Sequence, residues 1–184
     1  MANNVNYVTT AKPKIAGAIY RAPLDTALPT DATTALNAAF ASLGYVSEDG
    51  MSNSNSSDSE TVVSWDGDTV ATIEGDKADD FTFKLIEALN VEVLKTVYGD
   101  SNVSGDLESG IIIKANSTPQ SSYSWVVDMV LNNGVLKRIV VPNAKVTSVA
   151  EIAYKKTEVL GYETTISAVP DSTGNTHYEY IVAA

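Results

Sequence analysis

Residues 123–142 read YSWVVDMVLNNGVLKRIVVP, and this stretch decides the fold. Tyr123, Trp125, Val127, Met129 and Leu131 alternate with Ser124, Val126, Asp128 and Val130, the period of two that a strand imposes. Asn132-Asn133-Gly134 follows, and Asn-Gly supplies the positive φ angles that a type I′ hairpin turn demands. Val135–Val141 reads as the returning strand, ended by Pro142. An antiparallel hairpin is therefore the anchor from which the rest is read.

Downstream, two further strands are expected near 145–156 and 161–169. Asp171-Ser-Thr-Gly174 then turns the chain into a last strand at 176–183, which carries the single His177. Upstream, Val63 and Trp65 alternate with Ser64 and Asp66, and Asp66-Gly67-Asp68 offers a tight turn. Thr69–Glu74 is the return, closed by Gly75-Asp76, and Phe81, Phe83 and Leu85 mark another strand. Trp65, Trp125 and the tyrosines sit at strand spacing and are read as core rather than as a sugar-stacking platform. Two helices are expected. Pro29-Thr30-Asp31 opens one through Ala35, Leu36, Ala39, Phe40 and Leu43, stopped by Gly44. Asn90 caps the other, with Val91, Val93, Leu94, Val97 and Tyr98 on its apolar side and Gly99 at its end. Ile15–Tyr20 is a first strand, preceded by an extended arm at about 1–14. The polar runs at about 47–60 and at 100–110 cannot pack a core and are read as loops.

The chain has 184 residues, no cysteine and a net charge of −11. That length suits one domain spanning 1–184, without disulfides, zinc clusters or thiol chemistry. The charge is concentrated: residues 61–110 hold 3 basic and 11 acidic side chains, whereas residues 111–184 hold 6 of each. With no basic stripe to neutralise phosphates, a conventional DNA or RNA binder is excluded. No apolar run is long enough for a membrane span, and the amino terminus lacks the apolar core of a secretory signal. Asp66, Asp68 and the acids from Asp76 to Asp80 lack calcium-loop spacing. A lone histidine without a nucleophile motif reads as a surface residue. No catalytic residue, metal ligand or cofactor is expected.

Four passages, in order, resemble one family. AGAIYRAPLDTALPTDATTALNAAFASLGYVSEDG at 16–50 is similar to its opening, and WDGDTVATIEGD at 65–76 to its short hairpin. DFTFKLIEALNVEVLKTVYG at 80–99 resembles its strand-then-helix unit, and LKRIVVPNAKVTSVAEIAYKKTEVLGYETTISAVPD at 136–171 its closing block. The family is that of the major tail tube proteins of long, non-contractile tailed bacteriophages. The resemblance implies a mainly β fold, a two-sheet antiparallel sandwich or barrel with one or two flanking α-helices.

It also implies a structural virion protein, assembled in the host bacterial cytoplasm and located in the virion tail. Six copies would form a ring, rings would stack, and the genome would pass through without specific binding. Tape measure, tail terminator and tip proteins are the other implied partners. A channel that passes DNA should have a polar, negative wall. Asp128 lies opposite Trp125, Val127 and Met129 in its strand, Glu151 opposite Ala150 and Ile152, and Glu163 opposite Tyr162 and Thr164. These three are the expected lumen-facing acids. Glu48, Asp49, Met51 and Asp58, in the polar loop, are the expected inter-subunit residues, with Met51 the one side chain able to dock apolar surface on a neighbour. A β-sandwich surface or carbohydrate-binding module is the alternative.

Overall fold

A computed structural model describes residues 3–14 and 18–183. Its strands are β1 (Ala11–Pro13), β2 (Ile19–Pro23), β3 (Ala41–Ser42), β4 (Val46–Val63), β5 (Thr69–Leu85), β6 (Val103–Ser104), β7 (Ile112–Ile113), β8 (Tyr123–Leu131), β9 (Leu136–Val149), β10 (Tyr162–Ala168) and β11 (Tyr178–Val182). Among the described residues one α-helix, α1 (Val91–Tyr98), follows β5. Nine strands share a sheet with the path β3-β2-β8-β9-β10-β5-β4, with β1 added to β8 and β11 to β9. β6, inside the region 100–110 read as a polar loop, pairs with β7 just beyond it. Every pairing is antiparallel.

The hairpin at 123–142 lies at the centre of that path. Asn133 and Gly134 both take positive φ, 59° and 78°, as the Asn-Gly signal requires. The sheet curls. In a flat sheet β5 and β8, three places apart, would be separated by about 14 Å, yet the rings of Phe83 and Trp125 lie 6.1 Å apart. Ser42 pairs with β2 at one end of the path, and Val46 pairs with Leu85 at the other. Three residues of chain, Leu43 to Tyr45, thus bridge the two ends, so the sheet wraps into a barrel-like shape. Inside it Ile19, Leu43, Phe81, Phe83, Trp125, Val141 and Ile166 form the core, and α1 seals one side with Val93, Leu94 and Val97. The Trp125 indole N–H donates to the Ala144 carbonyl at 3.1 Å, so the ring is buried without an orphaned donor. Asn90 caps α1 through the Glu92 N–H at 3.0 Å, and Gly99 ends it at φ 94°.

Several expectations need correction. The region 30–43 is not helical. Asp31 accepts the N–H groups of Thr33 and Thr34, both at 2.6 Å, which closes a local turn. The carbonyls of Asp31 and Thr34, which a helix would have used, accept instead from Arg138 Nη1 at 3.0 and 2.8 Å. Freed from helical spacing, Leu28, Leu36 and Phe40 pack over Ala22, Val126 and Val140 on the outer face of the sheet. β9 does not stop at Pro142 but runs to Val149. Proline is tolerated because the register shifts there, Val141 facing Trp125 and Ala144 facing Tyr123. The strand then ends before Glu151, which lies in an irregular segment. The first strand begins at Ile19, and residues 15–17 of its expected range lie outside the described residues. The largest correction concerns residues 47–60, which form not a loop but most of β4.

Candidate functional site

β4 and β5 build an arm. The pairing of β5 with β10 ends at Asp80, opposite Ser167, whereas its pairing with β4 continues out to Thr69, opposite Val63. At strand rise, that part of the ladder projects roughly 35 Å beyond the sheet. Gly75, expected to close a short hairpin, instead lies within the continuous strand β5. Residues 52–63 are exposed throughout, so neither face of the arm is covered. A two-stranded ladder is at best marginally stable alone in water. Its tip is also apolar: Trp65 is fully exposed, and Val62, Val63, Val70 and Ile73 are exposed beside it.

Trp65 thus leaves the core assigned to it and stands next to the Asp66-Gly67-Asp68 turn. The signal was available, because the end of a hairpin has nothing to pack against. Trp125, by contrast, is wholly buried, so the two tryptophans share no stacking platform. Of the four residues expected at an inter-subunit boundary, Glu48, Asp49 and Asp58 are exposed on β4. Asp58 sits in a register shift between Ser57 and Ser59. Met51 is half-buried and packs on the protein's own core, paired with Phe83, so it anchors the arm rather than offering a free apolar contact.

The root of the arm is clamped by a cluster that sequence reasoning missed. Asp79 is 1% exposed. Its carboxylate accepts from Asn53 Nδ2 at 2.8 Å and Thr176 Oγ1 at 2.5 Å, and it contacts His177 Nδ1 at 2.6 Å. The imidazole meets Phe81 edge-on at 5.4 Å. β4, β5 and the segment entering β11 are tied together here. His177 is therefore a structural partner and not the free surface residue expected; nothing in its local sequence pointed to Asp79. Burial alone would raise the Asp79 pKa, but the hydrogen bonds from Thr176, Asn53 and His177 outweigh it and hold the carboxyl below its usual range. A depressed carboxyl stabilises the fold above its unfolded pKa and loses that contribution as pH falls through the folded value. The stability gap between the native protein and Asp79→Asn should accordingly be widest near neutrality and narrow below about pH 4. Denaturation curves across pH check this, and a gap that does not change with acid would contradict it.

The three expected wall acids separate. Asp128 is 5% exposed, and its carboxylate takes a two-point contact from Arg138, Nε to Oδ1 at 2.6 Å and Nη2 to Oδ2 at 2.9 Å. The face opposite Trp125 is covered by residues 24–40, not by solvent, so Asp128 is no wall charge. Glu151 and Glu163 are exposed. Glu163 belongs to a polar sheet face with Lys84 opposite it, and with Thr82, Thr165 and Ser148 in the next row. Thr82 and Thr165 share a hydroxyl hydrogen bond at 2.9 Å, as do Thr147 and Ser167. Asp80 and Lys145 flank Ser167 in register, so the charges on this face balance. It is a hydroxyl-lined surface with balanced charge.

Among the described residues, no group of three or more His, Asp or Glu side chains is arranged to hold a metal ion, and no helix is long and apolar enough to cross a membrane. What the architecture offers is surface: a curled antiparallel barrel, an uncovered arm with an apolar end, and a broad polar sheet face. These are the attributes of an assembly subunit. The chain belongs to the phage tail tube protein family, whose sequence model matches residues 1–184. That family is structural and not an enzyme class, and membership makes this a component of the virion tail that self-associates into a tube. No curated protein sequence matches the chain. Among solved structures, a chain of the sheath–tube complex of an extracellular contractile injection system, PVC, in its extended state, is similar at 13% identity and TM-score 0.41, over 97% of this chain and 95% of that one.

Proposed function

We propose that the protein forms six-membered rings that stack into the tube of a long, non-contractile phage tail, through which the genome is delivered. The observation that carries this beyond family membership is the arm, about 35 Å of two-stranded ladder without a cover of its own. A second copy is the cover that a repeating assembly supplies. Heterologous contacts close into a ring when the rotation permits and stay open along the stacking axis. Tail assembly takes place in the host bacterial cytoplasm, with a tape measure protein inside the tube and terminator and tip proteins at its ends. Electron microscopy of purified tails and of the concentrated protein tests the reading. Six-fold rings of this chain support it, and a tube built from another chain, or with another symmetry, would end it.

The hydroxyl-lined face of β4, β5, β10 and β9 is the proposed channel wall, with Glu163 on it and Glu151 at its margin. Serine and threonine hydroxyls with balanced charges offer DNA neither a strong attraction nor a strong barrier. Glu151→Lys with Glu163→Lys would turn the balance positive and hold phosphates electrostatically. Tubes should still assemble, while genome release slows, most at low salt where screening is weak. Timing DNA release from phage carrying both changes, at two salt concentrations, checks this. Release at the native rate in both would place the wall elsewhere.

A further inference from the structure

The direction of the arm is held from the far end of the chain. β5 leaves β10 at Asp80, opposite Ser167, and the next residue outward is Asp79. Asp79 shares a strand face with Phe81 and is buried, whereas residues 69–75 and 77–78 of the same strand are exposed. Beyond this point the ladder has only its own cross-strand bonds, which set its twist but leave its angle to the barrel soft. Two of the three side chains that grip Asp79, Thr176 and His177, come from outside the ladder, and the imidazole also lies edge-on to Phe81. Facing an ionised carboxylate, His177 Nδ1 carries the proton and donates it.

Both residues are presented by a stiff segment. Asp171 closes the turn before them, accepting from the N–H groups of Thr173 and Asn175 and from the Tyr178 hydroxyl at 2.7 Å. Tyr178 and Tyr180, on β11, pack against the outer cluster of Ala22, Phe40, Val126 and Val140. Yet β11 pairs with β9 alone, and none of its residues is fully buried. The segment is stiff in itself and lightly seated. On the reading that the arm serves assembly, on which this inference rests, we propose that residues 171–182 form a strap that fixes the arm's direction through Asp79, so that seating of β11 readies the subunit for its tube. A state competent to bind for only a fraction of the time lowers apparent affinity by that fraction. A strapped arm avoids that loss, because its direction is set before any neighbour arrives.

The chain has no native cysteine, so spin labels on Thr72→Cys in the arm and Ser148→Cys in the barrel can report the arm's direction. In the free subunit the distance distribution should be narrow. His177→Phe keeps a ring against Phe81 but removes the donor, and should broaden the distribution. His177→Asn, whose side-chain N–H stands where Nδ1 stood, should narrow it again. Tyr180→Ala, in the outer cluster rather than at the arm, should loosen β11 and broaden the distribution too, a response that a purely local bond at Asp79 would not give. Amide exchange in β8 should stay native in all three, marking an intact barrel. The concentration needed for tubes should rise by about tenfold in His177→Phe, as for an arm correctly placed about a tenth of the time, and return in His177→Asn. A distribution of native width in His177→Phe or in Tyr180→Ala would overturn the strap. Tubes formed by His177→Phe at the native concentration, despite a broadened arm, would overturn its part in assembly and leave the arm's own role standing. Tail tubes built without this chain would overturn the reading beneath it.

Discussion

Arg138→Met should destabilise the fold by about 3–5 kcal/mol, because it leaves the Asp128 carboxylate buried and without its partner. Arg138 is 1% exposed, and Lys14, at 3.9 Å from Asp128, is too distant and too solvated to replace it. Asp128→Leu combined with Arg138→Met should recover much of that loss, since no charge then remains in the apolar layer. Recovery should not extend to the segment around Asp31. Arg138 also takes the carbonyls of Asp31 and Thr34, so in the double variant residues 30–36 should exchange amide hydrogens faster than in the native chain. Thermal melts with hydrogen exchange separate the two effects. A double variant as unstable as the single one would show that the two carbonyl contacts, and not the buried pair, dominate.

Removal of the arm should have the opposite signature. Deleting residues 57–77 and joining Ser56 to Ala78, which pair in the ladder, through an Asn-Gly turn removes no member of the central core. Asn53 and Asp79, the root of the arm, remain. The shortened subunit should fold and melt within a few degrees of the native one, given that surface changes rarely exceed about 0.5 kcal/mol. Tube assembly should fall below detection in the same preparation. Normal tubes from the shortened chain would remove the arm from the assembly mechanism, and a chain that no longer folds would show that the arm is part of the core.

The parts of the fold that were legible from sequence are those whose signals are local. The hairpin through Asn133-Gly134 and the Asn90-capped helix each declare themselves within a dozen residues, by period and by turn chemistry. The arm does not. Ser52 to Ser59 show no periodicity because neither face is buried; their strand state comes from partners across the turn. Asp128 was misplaced for a related reason. Alternation says that it points away from Trp125, but not that residues 24–40 fold over that side. The same segment escaped recognition because Asp31 captures the first turn of an apparently helical pattern and Arg138, a hundred residues away, takes its carbonyls. Asp79 and His177 meet only through the folded chain, and no spacing rule connects them.

The order in which the sheet is stitched has a kinetic consequence. β2 at Ile19–Pro23 finds its partner only at Tyr123–Val127, and β5 finds β10 only at Tyr162–Ser167. Neither closure can occur on a ribosome until most of the chain has emerged, and chains dominated by such distant pairings fold in roughly milliseconds to seconds rather than microseconds. The arm, a local hairpin, has all its residues out well before the barrel closes, but alone it is only marginally stable. A newly made subunit would therefore lack the clamp at the arm's root until Thr176 and His177, which hold Asp79, have emerged. The arm would thus be fixed in its direction only in the finished molecule.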